Sequence, residues 1–280
     1  TTGTTLTAVG SGVQAFVAVY NTNGVFQWAR AIGGSSSAYG YGVGVDNSGN
    51  VYVAGYYYSN PLYVGSTSLS LSVPYTTPEV FVAKFNSSGT ALWAANGIAG
   101  TGSEILYDMS VDGSGNVYLT GYTTSNPAYA ISASGSGGGT VTISRSTTAS
   151  QLYAVRFNTN GVAQWGSTAG GTITTYGYGI DVDNSGNVYV GGYHYGSFTF
   201  GSSTISVSST PDVFILVWKS DGTPDFGVAA TGNSSDIVYD LRVSRSRKEA
   251  VVTGYFYSYP LTFGTINLYN DNYYCYGYAA

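Results

Sequence analysis

One short sequence recurs along this chain and limits what it can fold into more than any other feature. Residues 45–60 read VDNSGNVYVAGYYYSN, residues 111–126 VDGSGNVYLTGYTTSN and residues 182–197 VDNSGNVYVGGYHYGS, and a degenerate fourth copy, VSRSRKEAVVTGYFYS, covers 243–258. The Gly-Tyr steps at Gly55, Gly121, Gly192 and Gly254 lie 66, 71 and 62 residues apart. A second element recurs in the same order: AFVAVYNTNGVFQWARA from Ala15, VFVAKFNSSGTALWAAN from Val80, LYAVRFNTNGVAQWGST from Leu152 and VFILVWKSDGTPDFGVA from Val213. Phe226 stands in the last copy where the others have Trp28, Trp93 and Trp165. Repeats of this length mean a stacked or radial array, because one copy cannot bury its own apolar faces.

Within each copy apolar residues alternate with small or polar ones, the period of a strand. Asn23-Gly24, Ser88-Gly89, Asn160-Gly161 and Asp221-Gly222 supply the positive φ of a tight hairpin. The turns opening at Asp46, Asp112 and Asp183 form a second hairpin, in which the aspartate can accept from its own backbone. One unit is therefore four strands, for example Tyr39–Val45, Val51–Tyr57, Phe81–Asn86 and Ala91–Ala95, with a variable hairpin near Pro61–Val73 between the second and third. We read residues 1–280 as a single repeat domain with units of about 15–79, 80–151, 152–212 and 213–271, and 272–280 opening a further strand.

These residues resemble the SBBP-type β-propeller repeat of bacterial, archaeal and viral surface proteins, through the pattern FVAKFNSSGTALW followed by VDGSGNVYLTGYT. The resemblance implies an all-β propeller of about four four-stranded blades with inserted hairpins, the GVGVD-like strand innermost. It carries no defined catalytic residues. The fourth copy departs from it, with Ser244 for the turn aspartate and Arg-Ser-Arg-Lys at 245–248.

Aligning the inner strands sets Tyr41, Tyr107, Tyr178 and Tyr239 in one slot and Gly42, Asp108, Gly179 and Asp240 in the next. Val43, Met109, Ile180 and Leu241 follow, then Gly44, Ser110, Asp181 and Arg242, then Val45, Val111, Val182 and Val243. The two aliphatic slots share a face and read as core between blades. Asp108 and Asp240 fall in alternate copies and would face each other across an axis, as channel polar groups. Asp181 and Arg242 are expected to pair as ions. The chain starts and stops in mid-unit, so N-terminal strands are expected to complete the blade begun at Ile237, the latch of a closed ring. Asn272–Ala280 and Phe16–Asn21 then compete for one position, and the displaced strand could pair with a neighbouring molecule.

Composition narrows function. Only 8% of residues are charged, with 40 Gly and 28 Tyr, and the net charge is −5. That balance argues against nucleic acid, which needs clustered cations, and the lone basic group Arg242, Arg245, Arg247 and Lys248 reads as a solvated turn. No apolar run is long enough to span a membrane. Scarce Lys and Glu with abundant Thr, Ser, Gly and Tyr point to an extracellular, cell-surface or virion setting. Thr1 is not a start methionine, which reads as a processed or trimmed chain. With one histidine (His194) and one cysteine (Cys275), neither a zinc site nor a Cys/His pair can be assembled, and each reads as packing. The Asp-Asn-Ser-Gly-Asn turns resemble calcium loops superficially, but position six is Val51, Val117 or Val188 rather than Gly. They read as structural turns, and no cofactor is expected. The tyrosines Tyr56, Tyr58, Tyr193, Tyr195, Tyr255, Tyr257, Tyr273 and Tyr274 are the candidate interaction residues, since Tyr brings apolar area with a polar tip. The expected function is a non-catalytic structural or adhesive module whose partners are copies of itself or other surface proteins. A carbohydrate-binding propeller, with glycans as partners, is the alternative.

Overall fold

The computed structural model describes residues 5–72, 77–206, 210–244 and 249–270, with the backbone of 276–279. The described residues form strands and turns without a helix. Strands β1 (Ala15–Tyr20) and β2 (Phe26–Gly34) come first. The first complete blade holds β3 (Ala38–Val45) and β4 (Val51–Tyr57), an inserted hairpin of β5 (Leu62–Val64) and β6 (Thr67–Leu69), then β7 (Glu79–Phe85) and β8 (Ala91–Gly100). The second repeats this order with β9 (Glu104–Val111), β10 (Val117–Thr123), hairpin β11 (Ala128–Ile131) and β12 (Thr140–Ile143), β13 (Gln151–Phe157) and β14 (Ala163–Ala169). The third has β15 (Thr175–Val182), β16 (Val188–His194), hairpin β17 (Phe198–Phe200) and β18 (Ser203–Ile205), β19 (Asp212–Trp218) and β20 (Pro224–Thr231). The last holds β21 (Asp236–Ser244), β22 (Glu249–Phe256), hairpin β23 (Leu261–Phe263) and β24 (Ile266–Leu268), and β25 (Tyr276–Ala279).

Each blade is an antiparallel meander, β3-β4-β7-β8, β9-β10-β13-β14 and β15-β16-β19-β20, and the inner strands β3, β9, β15 and β21 touch in succession. Three of the four inserted hairpins do not stay with their own blade, whereas the hairpin β17–β18 forms a separate two-stranded sheet against β20 of its own blade. β5 pairs with β2 (Ile32 opposite Val64), β11 with β8 and β23 with β20, so each extends the outer edge of the sheet before it. That covers an edge whose unpaired backbone would otherwise be open to other chains.

Turn chemistry follows the residues. Asp46 Oδ1 accepts the amides of Ser48 and Asn50 at 2.9 Å, and Asp112 and Asp183 do the same in their copies. In the other hairpin, Asn21, Asn86 and Asn158 accept from the residues two and four further on.

Consecutive blades are held by a repeated clip. The indole Nε1 of Trp28 donates to the Ser87 carbonyl at 2.8 Å, that of Trp93 to Thr159 at 3.1 Å and that of Trp165 to Ser220 at 3.1 Å, each on the hairpin of the next blade. Each ring lies over that hairpin's glycine, Gly89, Gly161 or Gly222, where the backbone has positive φ. Lys84 Nζ donates to Thr159, and Arg156 to the Ser220 carbonyl, so a cation reinforces two of the clips. Phe226 keeps the ring but has no N–H to donate.

Between blades lie four apolar cores. In the seam slots Met109, Val111, Ile180, Val182, Leu241 and Val243 are buried, as the alignment implies. The first copy departs from it: Val43 and Val45 are 68% and 61% exposed, because β1 and β2 cover only the outer part of that face. Nor does β1 pair with β22. The backbone of β25 does, setting Gly254 opposite Tyr278 as Gly55 is set opposite Phe81. The expected cis latch between β22 and the N-terminal strands is therefore absent among the described residues, and the backbone of 276–279 pairs within its own chain.

Trp93→Phe should keep the stacked ring and lose the indole hydrogen bond, costing about 1 kcal/mol. Gly161→Ala, with φ of +76° and the Trp93 ring against the new methyl, should cost about 1–3 kcal/mol. Urea midpoints at unchanged m-value would check both.

Candidate functional site: a tyrosine rim and an open blade face

The Gly-Tyr step has a geometric cause. A Cβ on Gly55, Gly121, Gly192 or Gly254 would collide with the carbonyl oxygen of Tyr39, Ile105, Tyr176 or Ile237 on the adjacent inner strand. That close approach accompanies a β-bulge in every inner strand, and the residues left unpaired are Tyr41, Tyr107, Tyr178 and Tyr239. Bulges re-aim side chains. Here the tyrosine of each inner strand turns toward the one that follows Gly on the second strand, Tyr56, Tyr122, Tyr193 or Tyr255.

The rings make an almost continuous rim. Tyr107 and Tyr178 stack with centroids 4.3 Å apart and planes at 11°, and Tyr178 meets Tyr193 at 5.6 Å and Tyr239 at 5.9 Å. Tyr239, Tyr255 and Tyr257 carry the contacts on, and Tyr195 joins through Tyr193. A second group in the first blade joins Tyr39, Tyr41, Tyr56 and Tyr58. Burial, then neighbouring phenols, pushes the hydroxyls of Tyr56, Tyr107 and Tyr193 well above the ordinary phenol range. They are neutral donors and acceptors at any physiological pH.

Of the eight tyrosines singled out from sequence, Tyr56, Tyr58, Tyr193, Tyr195, Tyr255 and Tyr257 belong to this rim, while Tyr273 and Tyr274 lie outside the described residues, as do Cys275 and the basic residues 245–248. The bulge tyrosines and Tyr122 and Tyr176 were not among them. The aligned Tyr41/Tyr107/Tyr178/Tyr239 slot held the signal, but alternation alone does not reveal a bulge.

On the inner strands next to the rim, Arg242 Nη1 lies 2.9 Å from Asp108 and 2.8 Å from Asp240. The two aspartates are thus brought together through a shared guanidinium rather than as a bare pair. Asp181 is not its ion-pair partner as expected: its carboxylate accepts from Ser110 Oγ at 2.7 Å and the Val243 amide at 2.8 Å. Asp108 likewise accepts the Ile180 amide at 3.0 Å. Each carboxylate fastens the next blade by its backbone. Burial raises the Asp108 carboxyl, opposed by the Ile180 amide and Arg242.

Other titratable groups are packed. The Asp46 carboxylate is held below its usual range, burial being outweighed by hydrogen bonds from Asn50, Tyr52 and Ser48, with Lys84 at 3.9 Å. No group of three or more His, Cys, Asp or Glu among the described residues is arranged to hold a metal. His194 is fully buried, edge-on to Phe198 at 4.6 Å. Glu104, unremarked in the sequence, is buried beside Ser125 and Thr123.

The second feature is the open face of the first blade. Phe16 is 66% exposed, whereas Phe81, Tyr153 and Phe214 in the same slot are fully buried over the glycine of the second strand. With Ala38, Tyr41, Val43 and Val53 it lines a cleft of about 410 Å³.

This fold defines an all-β protein of propeller-type repeats. Residues 27–68, 98–127 and 162–198 match the SBBP family, described as a beta-propeller repeat. An uncharacterized WD repeat-containing protein of Acanthamoeba polyphaga mimivirus is 26% identical over 306 aligned residues, covering 92% of this chain. The chain spans 22% of that relative's length.

Stability should depend on pH through His194 and Glu104 in opposite directions. Burial pushes His194 down to about 4, offset in part by the Gly196 backbone. Between pH 6.5 and 4 the unfolded chain therefore binds a proton that the folded one refuses. Its contribution is full above 6.5 and falls by about 3 kcal/mol at pH 4. Burial raises Glu104 to about 7, against hydrogen bonds from Ser125 and Thr123. Its contribution is full below 4.5 and is lost as pH rises through 7. His194→Phe, the residue that Phe256 supplies in the last copy, should remove the acid-side loss, and Glu104→Gln the loss toward neutral pH. Thermal melts of each variant from pH 4 to 8 would read both.

Proposed function

We propose that this chain is a non-catalytic structural module of a cell surface or virion that assembles by completing a blade between molecules. The observation that carries this reading is the exposure of Phe16, Val43 and Val45, whose counterparts in later blades are buried. Burying each such side chain stabilises by about 1.5–3 kcal/mol. What covers the counterparts of Phe16 is the second strand of their own blade, and what covers those of Val43 and Val45 is the blade before. Strands β1 and β2 correspond to the third and fourth strands of a blade, and β21 and β22 to the first and second.

The donor in this reading is the β21–β22 hairpin of a second copy. Asp240 holds the slot from which Asp108 accepts the Ile180 amide, and Val43 is the counterpart of Ile180, so Asp240 of one molecule would accept the Val43 amide of the next. The four-residue β25 holds the place β1 would take beside β22, so one strand exchanges for another. The low charge, the scarcity of Lys and Glu and the viral relative support the surface or virion setting.

A second reading rests on Tyr41 and Tyr239, whose rings are about half exposed on the rim. Such faces stack on sugar rings, and a glycan array with wild type and Tyr41→Ala would separate lectin activity from assembly.

Wild-type protein should form head-to-tail oligomers that grow with concentration in size-exclusion chromatography and negative-stain images. Val43→Asp with Val45→Asp should leave a folded monomer with an unchanged circular dichroism spectrum. A wild type that stays monomeric at high concentration would overturn the proposal.

A further inference from the structure

We propose that Tyr107 and Tyr178 are a dityrosine-forming pair, which one-electron oxidation of the rim converts into a covalent staple between the second and third blades. This does not rest on the assembly reading. Among the described tyrosine pairs this is the tightest and flattest stack, 4.3 Å between centroids and 11° between planes. The two ring planes are nearly parallel, so the carbons of one phenol lie against those of the other. Both residues occupy bulges on neighbouring inner strands, β9 and β15, which fixes their backbones. Each ring is half-buried, so a released proton can reach solvent.

The surrounding rings feed the pair. Tyr239 is 56% exposed and lies 5.9 Å from Tyr178, and Tyr257 is exposed and connects to Tyr239 through Tyr255. An oxidant that touches only these outer phenols can draw an electron from the inner ones by short hops between rings.

The oxidant is hydrogen peroxide acting through a haem peroxidase. Each phenol gives up one electron and one proton to become a phenoxyl radical. The two radicals join through a bond between ortho carbons, and the hydrogens on those carbons move to the oxygens to restore two phenols. The two electrons and two protons reduce one peroxide to two waters, so the product is the chain less two hydrogen atoms.

The test treats the full chain with peroxidase and limiting peroxide, then maps cross-linked peptides by mass spectrometry with dityrosine fluorescence as the running signal. The expected product is one intrachain link between Tyr107 and Tyr178, migrating as a single chain on a denaturing gel and melting at a higher temperature than untreated protein. Tyr107→Phe or Tyr178→Phe keeps a stacked ring and should abolish that peptide, whereas Tyr239→Phe should slow its formation several-fold. The same treatment in urea should lose the selectivity for this pair, a control that needs no variant. Folded wild type that yields no link between these two residues, or yields it no faster than other tyrosine pairs, overturns the proposal.

Discussion

Side chains leave each blade from both faces: Tyr52, Val82 and Ala95 pack one way while Val51, Val53 and Phe85 pack the other. Neither set can be hidden within the sheet that bears it, so a blade is stable only between two neighbours. The seam is fastened at three depths. Near the axis, Asp108 and Asp181 accept amides of the following inner strand. In the middle, aliphatic slots close over glycine and serine. On the side of the third and fourth strands, indoles donate to the next hairpin and lie on its glycine. Three of the inserted hairpins add a fourth connection by pairing with the preceding sheet, a backbone contact indifferent to side-chain identity.

That division explains why the copies tolerate so much variation. Lys84, Arg156 and Val217 share a slot, as do Tyr57, Thr123, His194 and Phe256, because the backbone carries the register. Positions that do not vary are those where a backbone demands them. The second-strand glycine is one, since the inner strand's carbonyl occupies the space of a side chain. The bulge that accompanies it turns four tyrosines toward the rim, so a steric requirement of the seam and the aromatic surface have one origin.

The rim and the open face also differ in kind. The rim is built within the array, from rings that already contact one another. The open face is defined by three apolar side chains that are exposed in the first unit and whose described counterparts in later units are buried.

Strand positions, both hairpin turns, the repeat and the stacking of unit on unit were legible in the sequence, because alternation and turn preference depend on residues a few positions apart and repetition tests each assignment several times. Phe226 in place of tryptophan was visible too, although its consequence, a ring without a donor, needed the clip. Other features depended on what lies opposite. Arg242 chose Asp108 and Asp240 over Asp181 because Asp181 was already engaged by Ser110 and Val243. Val43 and Val45 matched a buried slot in alignment but lay outside the cover of β1 and β2. The placement of β25 beside β22 and the bulges at Tyr41, Tyr107, Tyr178 and Tyr239 likewise came from strand pairing. The sequence by itself thus determined the unit and its need for neighbours, and only the tertiary structure decided which faces meet, since register between distant strands is set by packing and not by local pattern.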